Sequence, residues 1–374
     1  AADPPAAAPP DANAAPPGAA VPAPAAAPDP ASLRVEVVAS GLQRPWGAAV
    51  LPDGRLLVSE RPGRLRLVTP DGSVSAPLAG VPQVHAVAEG GLLDVALSPT
   101  FAADATVYFS YAEPAPGGAA RLAVASARLG DTGLSDLQVI FREPDPLQGS
   151  YHFGSRLVFA PDGMLFVTIG ERYVLELAQQ LSSPAGKVLR IAPDGSVPAD
   201  NPFVATPNAM PQVYALGLRN PQGAAIHPQT GALWVSDHGP IGGDEINVVR
   251  AGRNYGWPRV SHGIHIDGQP PAEGTSAPDA EPPVYYWAPD SVATSGIVFH
   301  DGTGVPGWRG SLFVAWLRGQ ALVRLELDGE RVVAEQRLLA GRGERIRHVR
   351  VAPDGSLLVL TDADDGRVLR ISAP

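Results

Sequence analysis

In the stretch YHFGSRLVFAPDGMLFVTIGER, residues 151–172, His152 comes just before one alternating apolar run and Glu171 just after a second. A Pro-Asp-Gly turn between the runs folds them into a hairpin, whose two ends arrive on the same side. A carboxylate beside an imidazole orients the ring and raises its basicity, as a general base requires. Taken singly, His152 is more often a structural histidine, and Glu171 could cap a turn or pair with Arg172. Five other stretches carry polar residues at equivalent points. Arg44, Glu89, the pair Arg219–Asn220, and Arg345 with Arg347 enter first strands; Glu60, Asp237–His238 and Arg318 leave second strands. Arginines converging on a histidine suit a planar polyanion held by bidentate contacts, with a base nearby. Arg345 and Arg347 alone would also fit a solvated strand face.

The elements that position these residues are copies of one hairpin, at 44–60, 89–111, 152–171, 219–239, 294–319 and 345–362. Each has a small-residue approach, an alternating strand, a turn built on Pro, Asp or Gly, and a second strand rich in Leu, Val and aromatics. Shorter strands lie between the copies, and amphipathic helix windows are scarce. Six units with material for four strands each predict an all-β fold, a six-bladed β-propeller of four-stranded antiparallel blades, over residues 33–374. In a propeller the shared end of the hairpins is one mouth of the central channel, where the polar residues would meet. A β-sandwich or two stacked barrels is the alternative.

Composition narrows the function. The chain is 45% apolar and 18% charged, with a net charge of −10, which argues against nucleic acid or an anionic membrane as partner. No run approaches the roughly 18–20 apolar residues of a membrane span. Cysteine is absent, which excludes thiolate catalysis, zinc–thiolate sites and disulfides. The first thirty residues contain 14 Ala and 10 Pro and no aromatic residue, so residues 1–32 are expected to be a disordered tether. A start at AADPP is what signal cleavage or a trimmed end would leave, and the tether suits a periplasmic or secreted protein.

The run SDHGPIGGDEINVVRAGRNYGWP, residues 236–258, is rich in Gly, Asp and Glu. Its Gly-Pro pair could turn backbone carbonyls outward, and hard cations such as Ca²⁺ take oxygen ligands of this kind. A long structured turn is the plainer reading.

Several motifs together resemble the soluble quinoprotein glucose dehydrogenase and aldose sugar dehydrogenase family: GLQRPWGAAVLPDGRLLVSE, EGGLLDVALSP, HFGSRLVFAPDGMLFVTIGER, LGLRNPQGAAIHPQTGALWVSDHGP and RIRHVRVAPDGSLLVLTD. The resemblance runs from about residue 33 to 371. It implies a six-bladed propeller that uses pyrroloquinoline quinone (PQQ) and calcium to oxidise the anomeric carbon of an aldose to the lactone. On the matching positions, it implies that His152 is the base and Glu171 the residue that orients it. Arg219 and Asn220 would lie near the quinone carbonyls, with Glu89 also at the cofactor. Arg345, Arg347 and Arg318 would hold its carboxylates, and the carbonyls of Gly239 and Pro240 would bind calcium. Glu245 and Tyr255 would form a second, structural calcium site. Three positions depart from the family: Glu89 replaces a glutamine, Tyr151 an aspartate, and SVATSG at 291–296 an APSG motif. The expected partners are an aldose and an unidentified electron acceptor, in a monomer. The rivals are a non-catalytic propeller that binds a sugar or a protein, favoured by Glu89, and a calcium-dependent propeller lactonase.

Overall fold

A computed structural model describes residues 23–374 as six antiparallel sheets arranged as the blades of a propeller. The first blade has three strands, Pro45–Val50, Leu56–Glu60 and Arg64–Val68, extended by a lone bridge from Val68 to Val74. The other five have four each. Their innermost strands are Leu92–Leu97, Leu157–Phe159, Pro221–Ile226, Thr294–Phe299 and Ile346–Val351 in blades two to six. Neighbouring inner strands abut all the way round, with Pro45–Val50 touching both Leu92–Leu97 and Ile346–Val351. The ring closes by joining the two ends of the chain: Arg34–Leu42 is the outer strand of the sixth blade, paired antiparallel with Gly366–Ser372.

Burial explains the sequence pattern. A blade is covered on both faces by its neighbours, so its second strand is buried without alternation and largely apolar, with polar residues toward its end. Leu56–Glu60, Leu165–Ile169, Leu233–Asp237, Leu312–Trp316 and Leu357–Thr361 are buried at every position. The small residues of the inner strands have a different cause, since these strands crowd together at the axis. A Cβ at Gly47 would lie 2.6 Å from the Asp94 carboxylate, one at Gly223 would collide with the Ser295 carbonyl, and one at Gly296 with the His348 ring.

The channel is plugged below the mouth. Arg156, from the third blade, pairs with Asp94 of the second at 3.0 Å, stacks 3.9 Å over Trp46 of the first, and donates to the carbonyls of Gln222 at 2.5 Å and Arg347 at 3.3 Å. The polar residues expected at the mouth therefore stand on a rigid, desolvated floor.

Of the expected tether, residues 1–22 lie outside the described residues. The segment after them is packed. Ala26 and Ala27 lie against Gly307 of the fifth blade, Gln336 donates to the Pro28 carbonyl at 3.2 Å, and Asp29 caps a short turn at Pro30–Ser32. The compositional boundary at 32 thus falls inside chain already docked on the propeller. Among the described residues, no helix is long and apolar enough to cross a membrane.

Candidate active site

One structural device recurs at the mouth. An acidic residue at or just past the end of each of three second strands receives the chain entering the same blade. Glu60 accepts from the Gln43 N–H at 2.5 Å, and Asp237 accepts from the N–H groups of Arg219 at 2.9 Å and Asn220 at 2.7 Å. Asp362 accepts from the Arg345 side chain at 3.1 Å. Glu171 departs from this pattern, because its carboxylate reaches the His152 ring instead, with Oε2 2.6 Å from Nδ1.

The His152–Glu171 pair is buried, with His152 5% and Glu171 0% exposed. Oε2 of Glu171 also accepts the Tyr173 N–H at 2.9 Å. A carboxylate on Nδ1 selects the tautomer with the proton on that nitrogen, so the Nε2 lone pair faces outward. His152 lines a cavity of about 310 Å³ with Tyr173, Arg219, Pro240, Trp257 and Asp267. Its backbone is left-handed, φ 54°, and its N–H donates to Glu89 at 2.8 Å. Asn220 donates to the same Glu89 oxygen at 3.3 Å and accepts the Gly154 N–H at 3.1 Å. Glu89 is therefore a tie between the second, third and fourth blades, and its charge is already engaged by donors.

A second cavity, of about 290 Å³, opens at the axis. Its wall carries four guanidiniums (Arg44, Arg61, Arg345, Arg347) against the two carboxylates of Glu89 and Asp362. This local positive excess stands out in a chain of net charge −10. Asp362 pairs with Arg345 at 3.1 Å, Arg347 at 3.2 Å and Arg44 at 3.7 Å. Burial opposes its ionisation, but Arg347 and Arg345 outweigh burial and hold its pKa at about 2. Such a depressed carboxylate stabilises the fold above the unfolded pKa near 4, and that contribution is lost as pH falls through about 2. The shift corresponds to on the order of 2 kcal/mol. Asp362→Asn is expected to lose it, flattening the fall of the urea midpoint between about pH 4 and pH 2; an unchanged acid limb would refute the assignment.

Among the described residues, five buried side-chain atoms of the residues lining these two cavities have no hydrogen-bond partner: Glu171 Oε1, Trp257 Nε1, His238 Nε2, Arg347 Nε and Asp362 Oδ1. Buried polar atoms are ordinarily satisfied, so their clustering here indicates a place built for a polar ligand. His238 is held neutral by burial and by the neighbouring guanidiniums of Arg219 and Arg347. The donor set fits an anionic quinone such as PQQ, with arginines for its carboxylates. For calcium, the fit rests on backbone oxygen. Among the described residues no group of three or more His, Asp or Glu side chains could hold a metal. The Gly239 carbonyl accepts from Arg219 at 2.8 Å and has a second lone pair to offer.

Not every expected residue arrives at the mouth. Arg318 is exposed beyond the end of its strand; Leu317, bonded through its N–H to the Ala293 carbonyl at 2.9 Å, lines the cavity instead. The Tyr255 phenol is buried and engaged, donating to the Val248 carbonyl at 2.6 Å and accepting the Arg250 N–H at 2.8 Å. Glu245 stands opposite Asp237 across two strands, and burial together with the charges of Asp237 and Asp244 raises its pKa to about 8. No contact joins Glu245 to Tyr255 among the described hydrogen bonds. Sequence reasoning missed Arg61, Trp46, Gln222 and Asp362. For Asp362 the signal was present, since TD closes its second strand as SE closes the first blade's and SD the fourth's.

Comparisons with known proteins show the family. Residues 42–370 match the family described as Glucose / Sorbosone dehydrogenase. Aldose sugar dehydrogenase YliI of Escherichia coli is 42% identical over 346 residues, 91% of this chain and 93% of the relative. The crystal structure of the soluble aldose sugar dehydrogenase from Escherichia coli in the apo-form superposes with a TM-score of 0.89 at 40% identity, covering 91% of this chain and all of the other. The PQQ-bound aldose sugar dehydrogenase of Streptomyces coelicolor superposes with a TM-score of 0.73 at 32% identity, covering 93% and 100%. With the fold, the axial mouth and these matches in agreement, the chain belongs to the glucose/sorbosone dehydrogenase family, whose sugar dehydrogenases are six-bladed propeller oxidoreductases.

Proposed function

We propose that the chain is a PQQ- and calcium-dependent aldose dehydrogenase that oxidises the anomeric carbon of an aldose to the lactone and passes the electrons to an external acceptor. The reading also includes export and a monomeric state. One observation carries it: the buried His152–Glu171 pair at 2.6 Å, with Nε2 open to a cavity, beside a mouth lined by four arginines. Arg44, Arg61, Arg345 and Arg347 would hold the PQQ carboxylates, Arg219 and Asn220 would face its carbonyls, and the Gly239 and Pro240 carbonyls would bind calcium. When bound, PQQ supplies the hydride acceptor and calcium the Lewis acid that polarises it.

The chain's own residues do the rest. His152 Nε2 takes the proton of the C1 hydroxyl as the C1–H bond gives up its hydride, and Glu171 stabilises the imidazolium that forms. Arg219 places a positive charge where oxygen becomes negative. The apolar faces of Trp257 and Leu175 exclude water from one side of the sugar cavity. Glu89 was the residue that most favoured a non-catalytic propeller. Its acceptance of the His152 N–H and the Asn220 amide instead gives it a role in holding the catalytic geometry.

The test starts from purified protein stripped with a chelator and supplied with PQQ, Ca²⁺, both or neither. Dye reduction on adding glucose and other aldoses is expected only with both. If PQQ absorbance does not shift on adding protein and no sugar is oxidised, the reading fails.

A further inference from the structure

Inner strands run from the mouth to the opposite face, and there, between the fourth and fifth blades, lies a cavity of about 390 Å³. His227 and Trp234 line it from the turn that joins Pro221–Ile226 to Leu233–Asp237. His300, Asp301 and Arg309 reach it from the connection between Thr294–Phe299 and Leu312–Trp316. Glu330 comes from the next hairpin tip of the fifth blade. None of these residues enters the chemistry at His152.

Three of them bring donors without partners. Trp234 is 1% exposed, yet its indole N–H has no hydrogen-bond partner among the described residues. The ring packs edge-on to Phe299, with 5.5 Å between centroids, a contact that a phenylalanine would make equally well. His227 Nδ1 accepts the N–H groups of Gln229 and Thr230, both at 3.2 Å, which puts the ring proton on Nε2. That N–H is unmatched among the described residues. The exposed Arg309 guanidinium forms no ion pair among them either. His300 differs, since its Nε2 donates to the Gly355 carbonyl at 2.8 Å and its Nδ1 accepts the Gly302 N–H at 2.9 Å. Buried donors are ordinarily satisfied, and a guanidinium among further N–H groups suits a carboxylate.

The cavity also has acceptors. Asp301 Oδ1 takes the Thr303 N–H at 2.8 Å and Glu330 Oε1 pairs with Arg250 at 2.5 Å, which leaves one oxygen of each carboxylate open. A bare anion would face those oxygens unscreened. Hydroxyl groups on the same ligand remove the conflict, because each can donate to a carboxylate. The volume is many times that of one water and within the range of small-molecule sites.

We infer that this cavity is a second binding site, remote from the mouth, for a small hydroxylated carboxylate of the aldonate class. Its carboxylate would lie on Arg309, His227 and Trp234, and its hydroxyls on Asp301 and Glu330. Under the aldose dehydrogenase reading, an aldonate is the lactone product after water opens the ester, with hydroxide on the acyl carbon and the proton on the ring oxygen. The site would then hold product away from the catalytic mouth; the binding itself does not depend on that reading.

Isothermal titration into the full chain without PQQ tests it. Gluconate is compared with glucose, which lacks the carboxylate, propionate, which lacks the hydroxyls, and alanine, which offers an ammonium in their place. Gluconate is expected to bind at least about tenfold more tightly than each of the others. Arg309→Gln should weaken gluconate binding by about tenfold or more, and Trp234→Phe, which keeps a ring and removes the N–H, by about three- to tenfold. Arg345→Gln, at the arginine-lined mouth, should leave this binding unchanged. No dye reduction is read, so the result stands apart from the sugar assay. Absence of gluconate binding by the wild type, unchanged affinity in Arg309→Gln, loss only in Arg345→Gln, or equal binding of glucose, propionate or alanine would each overturn the site.

Discussion

Replacing His152 with alanine is expected to lower sugar turnover by about 10²–10⁴ while leaving PQQ binding, followed by its absorbance, within about threefold of wild type. The separation follows from the two cavities. His152 lines the one bounded by Tyr173 and Trp257, whereas the arginine wall that would grip the cofactor belongs to the axial one. The substitution also leaves the backbone tie intact, because the interaction with Glu89 uses the main-chain N–H of residue 152. Glu171 keeps the Tyr173 N–H as a donor and loses the ring. Glu171→Gln should be milder, since an amide oxygen can still accept the Nδ1 proton but cannot stabilise the charged imidazolium. Turnover in His152→Ala within about threefold of wild type would remove the base assignment. Loss of turnover together with loss of PQQ binding would mean that the histidine is structural.

The second large effect is on stability. Arg156→Met is expected to destabilise the propeller by about 3–5 kcal/mol, because it leaves the Asp94 carboxylate buried without its counter-charge. Asp94 is 0% exposed and keeps only the Leu157 N–H, at 2.9 Å. The carbonyls of Gln222 and Arg347 lose a donor too, and each buried orphan adds to the cost. These contacts reach the first, second, fourth and sixth blades from a side chain of the third, so the loss should appear as cooperative loosening of the ring. Urea unfolding of the variant, and of the double variant with Asp94→Asn, measures it. The double variant should recover part of the loss, because the uncompensated charge is then gone. A shift below about 1 kcal/mol for Arg156→Met would show that inter-blade packing alone closes the ring.

Much of this protein was legible in its residues taken in order. Turn residues between apolar runs mark hairpins through local backbone preferences, which survive in any fold that uses them. Six such hairpins, with small residues at each approach, gave the blade count and the shared end where polar residues meet. His152, Glu171, Arg219, Asn220, Arg345 and Arg347 all lie at that mouth, because strand ends are placed by the hairpin itself.

What lay beyond reach begins one residue past a strand end, where period-2 alternation stops. Whether Leu317 or Arg318 turns inward depends on the neighbouring loop at Ala293, which bonds the Leu317 N–H. Arg156 reads as one more polar residue in an alternating strand, and only the meeting of six inner strands makes it the plug of the channel. The Ala/Pro composition of the tail predicts low intrinsic order, yet Ala26 and Ala27 dock where Gly307 leaves space for a backbone. Tyr173 gave no signal at all, since its exposure is imposed by the burial of Arg172 beside it. Local chemistry along the chain determined which residues could meet; the packing of one blade against the next decided which side chains face the ligand, because at the mouth direction is set by neighbours distant in sequence.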